Sequence, residues 1–279
     1  MKTLPMTTVL LLATMGLSLP ACHEHTGTTN TQTATADSTA NAMLSLEQIR
    51  AKVGPLDVFH PADGDLPSFD ELVKLTADVK AAAASATDPE IKGELEMAHL
   101  RALQMTLATL PPEPGKAAAE AYASWLKTQS ELVFQDEVSG SWLVPVSQYW
   151  ALADKYQGAA VGDAIAFQAV NAPMGGECEG LMSCNSTASL RSEGEYLKRF
   201  PTGKFVEMAL NLVNDNMDTM LADWDSQPEE QAETQKTLAE WEALLTPLAD
   251  SDIAKQVRSK LSKLQQKPVS ASTTPTQGN

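Results

Sequence analysis

Apolar residues recur at three- and four-residue steps from residue 45 to residue 264, which is the spacing that puts them on one face of an α-helix. "SLEQIRAKV" (45–53) opens on a serine suited to capping. "SFDELVKLTADVKAAAASA" places Ser68 and Glu71 at capping-box spacing and sets Phe69, Leu72, Val73 and Val79 on one face. "DPEIKGELEMAHLRALQMTLATL" begins with Asp88 as a cap and Pro89 at the first helical position, and stops at Pro111-Pro112. "GKAAAEAYASWLKTQSELVF" carries Ala118, Tyr122, Trp125, Leu126 and Val133 along one stripe. Helices over 145–157 and 159–171 form a pair broken at Gly158. A second pair, "TASLRSEGEYLKRF" and "GKFVEMALNLVNDNMDTMLADW", meets at Phe200-Pro201-Thr202-Gly203. "EEQAETQKTLAEWEALLTPL" aligns Leu238, Trp241, Leu245 and Leu248, and a last helix from Ser251 aligns Ile253, Val257, Leu261 and Leu264. No stretch shows the two-residue alternation of a strand. The pattern predicts an all-α fold of antiparallel helix pairs over 44–266.

Helix pairs invite a search for repeats. Tyr149, Leu152, Ala153 and Tyr156 resemble part of the first helix of a tetratricopeptide unit. "EYLKRFPTGKFVEMAL" (195–210) resembles the helix–Pro turn–helix of repeat-containing outer-membrane assembly lipoproteins, with Tyr196, Leu197, Phe200, Pro201, Phe205 and Ala209 in the corresponding positions. The likeness covers about a quarter of the chain, and the candidate units are not 34 residues apart as that repeat would have them. Ordinary antiparallel packing in a helical bundle accounts for the same pattern, alongside an irregular tetratricopeptide-like array. The resemblance implies a partner-binding surface around Tyr196, Phe200 and Phe205. Asn211 and Asn214 on the following helix would line a polar groove or lie on a solvated face.

The ends of the chain depart from this periodicity. "MKTLPMTTVLLLATMGLSLPAC" has one early lysine and an apolar run from Val9 to Leu19. That run is shorter than the roughly 20 residues a membrane-spanning helix needs, but suits a signal-peptide core. The "LPAC" ending at Cys22 resembles the lipobox of bacterial lipoproteins, with Pro20 a departure from the usual occupant. The resemblance implies removal of residues 1–21 and acylation of Cys22, the membrane then being a partner through the lipid. His23, where an aspartate would signal inner-membrane retention, implies passage to the outer membrane if the host is Gram-negative. Plain secretion with cleavage nearby is the alternative. Residues 22–43, rich in Thr, Ala and Asn, read as a disordered tether spanning roughly 25 Å as a flexible coil. Residues 267–279 read as a disordered tail. His23 and His25 are too few ligands to define a metal site.

Composition narrows the partners. The chain of 279 residues is 43% hydrophobic and 5% aromatic, which favours helix, and its net charge of −16 repels nucleic acid and anionic lipid headgroups. The three cysteines become intelligible once Cys22 is taken by lipid, since one pair remains in "GGECEGLMSC". In an oxidising envelope a Cys178–Cys184 disulfide is the default. A continuous helix would hold the two about 9 Å apart, too far to bridge, so a turn is required. Redox catalysis favours two intervening residues and a lowered thiol pKa, which Glu177 and Glu179 oppose. A structural zinc lacks the remaining ligands.

Catalytic signatures are scarce. The chain has no H-E-x-x-H or P-loop, and no G-x-S-x-G beyond the leader. Ser124–Lys127 matches S-x-x-K, but its companion motifs are missing and Trp125 and Leu126 belong to an apolar stripe. Asp63 and Asp65 beside His60 fail the calcium-loop register. His99 sits on a helix as a partly buried residue or a base, and Glu94 and Glu96 are acids without an evident partner. No cofactor or metal is implied. Two function classes follow. One is a non-enzymatic module binding another envelope protein, which predicts an open concave face. The other is a cell-wall hydrolase with a carboxylate or His site, which predicts a deep cavity around His99 or paired acids of raised pKa.

Overall fold

Helix α1 (Leu46–Val53) starts at Ser45, whose N–H donates to Gln48 Oε1 at 2.8 Å while its hydroxyl accepts from Gln48 N at 3.2 Å. The computed structural model describes residues 44–54, 67–110, 116–172, 174, 178, 181–224 and 230–268. The leader, Cys22 and the tether lie outside the described residues. Helix α2 (Phe69–Ser85) is capped by Ser68 and Glu71 as the spacing predicts, with 3.0 Å from Ser68 N to Glu71 Oε2. Helix α3 (Pro89–Ala108) is capped by Asp88, which accepts from Glu90 N and Ile91 N. The three-residue link between α2 and α3 makes them an antiparallel pair. Leu72, Leu75, Val79, Leu95, Ala98 and Met105 fill the seam, which also holds a Thr76–Thr106 hydroxyl contact of 3.1 Å.

Helix α3 is the spine of the first half. Its other side buries Leu100, Leu103 and Leu107 against Val133, Val144, Tyr149 and Ala169. Helix α4 (Lys116–Thr128) stops sooner than its apolar stripe implied. Thr128 Oγ1 bonds back to Trp125 O at 2.6 Å and successive tight turns carry the chain out, so Val133 is buried from a loop instead. A second departure follows, because strands β1 (Phe134–Gln135) and β2 (Trp142–Leu143) pair antiparallel, Phe134 opposite Leu143. Two residues per strand are too few for alternation to register. The ladder is held by its surroundings: Asp136 accepts from Ser139 N and Oγ, and Val144 N donates to the buried Gln104 side chain at 2.9 Å.

Helices α5 (Val146–Lys155) and α6 (Ala160–Val170) form the expected pair. Gly158 breaks them at φ 88°, a left-handed conformation that favours glycine. The turn is tied to α3: Glu90 accepts from Ala160 N and Val161 N, and Glu96 pairs with Lys155 at 2.6 Å.

The second half begins with α7 (Met182–Ser189), which widens through a π-helical turn (Leu190–Gly194) and continues as α8 (Glu195–Arg199). Cys178 and Cys184 lie at disulfide distance, Cα–Cα 5.3 Å, clipping the preceding chain to the first turn of α7. After the Pro turn come α9 (Val206–Asp223), α10 (Gln231–Leu245) and α11 (Asp252–Gln265). The principal partner of α9 is α11, ahead of the helix across the Pro turn. Met217, Met220, Trp224, Leu238, Trp241, Val257, Leu261 and Leu264 form the shared core. Beyond α11, Pro268 O accepts from Trp224 Nε1 at 3.2 Å. Among the described residues the fold is all-α with one minimal hairpin.

Candidate binding groove

The residues singled out from sequence do not share one surface. Tyr196 is 0% exposed. Its hydroxyl donates to Asp163 Oδ1 at 2.5 Å and accepts from Phe205 N at 3.1 Å, while Lys204 N donates to Asp163 Oδ2 at 2.6 Å. Burial, then the Asp163 carboxylate, push its phenol above the ordinary range. Phe200 stacks on its ring at 5.7 Å, and Phe205 stacks on Phe167 at 4.7 Å. Gly203 completes this lock, because a Cβ there would lie 2.5 Å from the Tyr196 hydroxyl and 2.7 Å from Asp163 Oδ1. Tyr196 is therefore a structural pin with no face to offer, whereas Phe200 and Phe205 are half-buried at its edge. Asn211 is exposed and bonds back to Glu207 O at 2.8 Å. Asn214 is partly buried, its Oδ1 without a hydrogen bond. On the same helix α9 exposes Met208 at 53% and Leu212 at 38%.

The opposite side of α8 opens onto a groove of about 580 Å³ that the sequence did not announce. Its lining comes from four places: Phe134 of the hairpin, Pro145, Val146, Ser147 and Trp150 of α5, Met174, and the row Arg191, Glu195 and Arg199 along the π turn and α8. Helical spacing explains the row, since residues four apart share a face while Ser192, Gly194, Tyr196 and Leu197 face the core. Arg199 is fixed in place. Its guanidinium lies 4.9 Å over the Trp150 ring, donates from Nε to Glu195 at 2.6 Å and pairs with Asp154. Arg191 is exposed and makes no hydrogen bond or ion pair among the described residues. Helix α5 opens beside it with Pro145 at the cap and no side-chain hydrogen bond to its first turn.

The candidate acids and histidine lie elsewhere. His99 is 9% exposed, its Nε2 has no hydrogen bond among the described residues, and it lines none of the described cavities. Desolvation, then the Lys80 charge, push its imidazole down to about 4, with Glu96 opposing. Glu94 pairs with Arg50, and Glu96 with Lys155 and the Tyr156 hydroxyl. A second cavity, of about 390 Å³ between α1 and α2, includes Glu71 and Asp78. Glu71 is tied to its cap at Ser68, which holds its carboxyl below the usual range, and Asp78 pairs with Lys74 at 2.6 Å. Burial pushes the Glu193 carboxyl up, against the Ser192 hydroxyl bonded to it. Among the described residues no three of His, Cys, Asp and Glu gather to hold a metal, and no helix is long and apolar enough to cross a membrane.

Comparison of the chain with protein-family models, curated proteins and solved structures returned no significant match.

Proposed function

We propose that this chain is an envelope lipoprotein, anchored at the outer membrane through Cys22, whose all-α domain is a non-enzymatic binding module. The groove between the hairpin, α5 and α8 is where it takes a segment of another envelope protein. One observation carries this reading: an open groove with an aromatic and aliphatic floor, rimmed by one fixed and one unengaged arginine. Arg and Trp are the side chains that concentrate energy at protein interfaces, because each offers large area and directional contact from a stiff group. Support for the anchor comes from the lipobox likeness around Cys22. The Pro-turn likeness of 195–210 to outer-membrane assembly lipoproteins favours the same class of function, with Phe205, Met208 and Leu212 a further exposed edge on α9.

Two measurements on intact cells test this. Palmitate labelling should mark the wild-type chain and be lost in Cys22→Ser. A photo-crosslinking residue at Ser147, exposed and lining the groove, should give discrete envelope-protein adducts, and one at exposed Lys236 on α10 should not. Equal adducts from both positions, or none from Ser147, would remove the groove from consideration.

A further inference from the structure

We infer that the groove takes an acidic peptide segment bearing large apolar side chains, and that Arg191 is the residue that reads its charge. This deepens the binding-module reading and rests on it. The chain contains five arginines, at 50, 101, 191, 199 and 258. Four are engaged. Arg50 holds Glu94, with NH2 2.6 Å from Oε2, and Arg101 donates to Gln168 Oε1 at 2.6 Å. Arg199 is held by Glu195 and Asp154, and Arg258 donates to Leu245 O at 2.8 Å and Leu248 O at 2.7 Å beside its pair with Asp250. Arg191 alone has no such bond among the described residues, although acids outnumber bases 36 to 20 in the chain. An arginine left open on so acidic a protein, at the rim of an apolar groove, complements a carboxylate from elsewhere.

The rest of the lining agrees in sign. Glu195, the one acid in its described lining, is neutralised by Arg199 at 2.6 Å and Lys198 at 3.7 Å, so it does not oppose an incoming acid. The amino end of α5 lies at the same groove and adds partial positive charge. Phe134, Val146, Trp150 and Met174 offer the apolar strip, Met174 being 36% exposed. A peptide alternating acidic and large apolar residues meets both demands at once. An anionic lipid surface meets only the first, since its headgroups offer no large apolar side chains to the strip.

The test uses the mature lipidated chain in neutral detergent and fluorescence anisotropy. The probe is a labelled octapeptide of alternating glutamate and leucine with one leucine replaced by phenylalanine, beside twins carrying glutamine or lysine for glutamate. The acidic peptide should bind about tenfold more tightly than its glutamine twin at low salt, and the gap should narrow as salt is raised. Arg191→Gln should equalise the two peptides, Arg191→Lys should keep part of the difference, and Ser147→Glu should weaken the acidic peptide selectively. Ser147 is exposed in the first turn of α5, where an added carboxylate suits the helix dipole, so folding is not at stake. Equal binding of the twins, preference for the lysine peptide, or no binding up to about 1 mM would overturn the assignment. So would binding to phosphatidylglycerol vesicles that Arg191→Gln abolishes while the peptides fail. Ser147 crosslinks that persist through such a failure leave the groove standing and remove only the acidic class. Loss of both removes both.

Discussion

Helix α8 has two sides, and they differ in how completely their polar atoms are used. On one, the Tyr196 hydroxyl, the Asp163 carboxylate and the Lys204 and Phe205 amides satisfy one another inside a cluster of aromatic rings. On the other, Arg199 is tied down but Arg191 is not, and the apolar floor beside them is open. A side whose donors and acceptors are all paired internally has little left with which to recognise anything. A side with an unengaged guanidinium at the edge of a partly open apolar groove does. Within one short helix, then, the residue that best matches a known pattern belongs to the fold, and its neighbours belong to the surface.

Several substitutions break or sharpen that contrast. Gly203→Ala attacks the closed side most directly, since its Cβ would fall on the Tyr196 hydroxyl and Asp163. It should cost about 3 kcal/mol in chemical denaturation, while the folded fraction binds the acidic octapeptide as before. Replacing Cys178 and Cys184 with serine should cost about 2 kcal/mol through the freed loop and change peptide affinity less than about threefold. A large affinity loss at unchanged stability would instead make the clipped turn part of the binding surface. Tyr196→Phe keeps the ring and removes the hydroxyl, leaving the half-buried Asp163 carboxylate short of a donor. A destabilisation of about 1.5 kcal/mol is expected; a neutral result would show that the hydroxyl does not pin the turn.

Glu193, in the π turn that joins the two sides, has a pH signature. Burial raises its folded carboxyl above the unfolded value, so ionising it in the folded state costs stability that protonation restores. Glu193→Gln should therefore raise Tm by roughly 2–4 °C at neutral pH. The gain should fade as pH falls from the raised folded range to the ordinary glutamate range near about 4.3, below which the carboxyl is neutral in both states. A gain that persists at low pH would mean that the carboxyl is not the cause. Arg191→Gln should move stability least, within about 0.5 kcal/mol, because the side chain makes no hydrogen bond or ion pair among the described residues. A larger loss would place it on the structural side of α8 after all.

Much of the fold was legible because its signals are local. Ser45, Ser68 and Asp88 cap helices where their spacing says they should, since a cap is decided within three or four residues. Gly158 breaks the α5–α6 pair for an equally local reason. Leu238, Trp241, Leu245, Val257, Leu261 and Leu264 are buried as their periodicity implies. The hairpin was not legible, because its short ladder depends on Gln104, some forty residues earlier, to hold Val144. The groove was not legible either. Phe134, Trp150, Met174 and Arg191 are unremarkable in their own segments and meet only when the hairpin, α5 and α8 pack together.

Tyr196 marks the boundary between the two kinds of information. Helical spacing placed it beside the Pro turn, next to Phe200 and Phe205, as the sequence implied. Whether it faced a partner or the interior depended on Asp163, thirty-three residues away on α6, and on the room left by Gly203. By itself the sequence determined the helices, their caps and their apolar faces, because those follow from hydrogen bonds and side-chain steps within a turn or two. Which arginine was left without a partner was decided only by tertiary structure, because an ion pair is settled by what packing brings within reach.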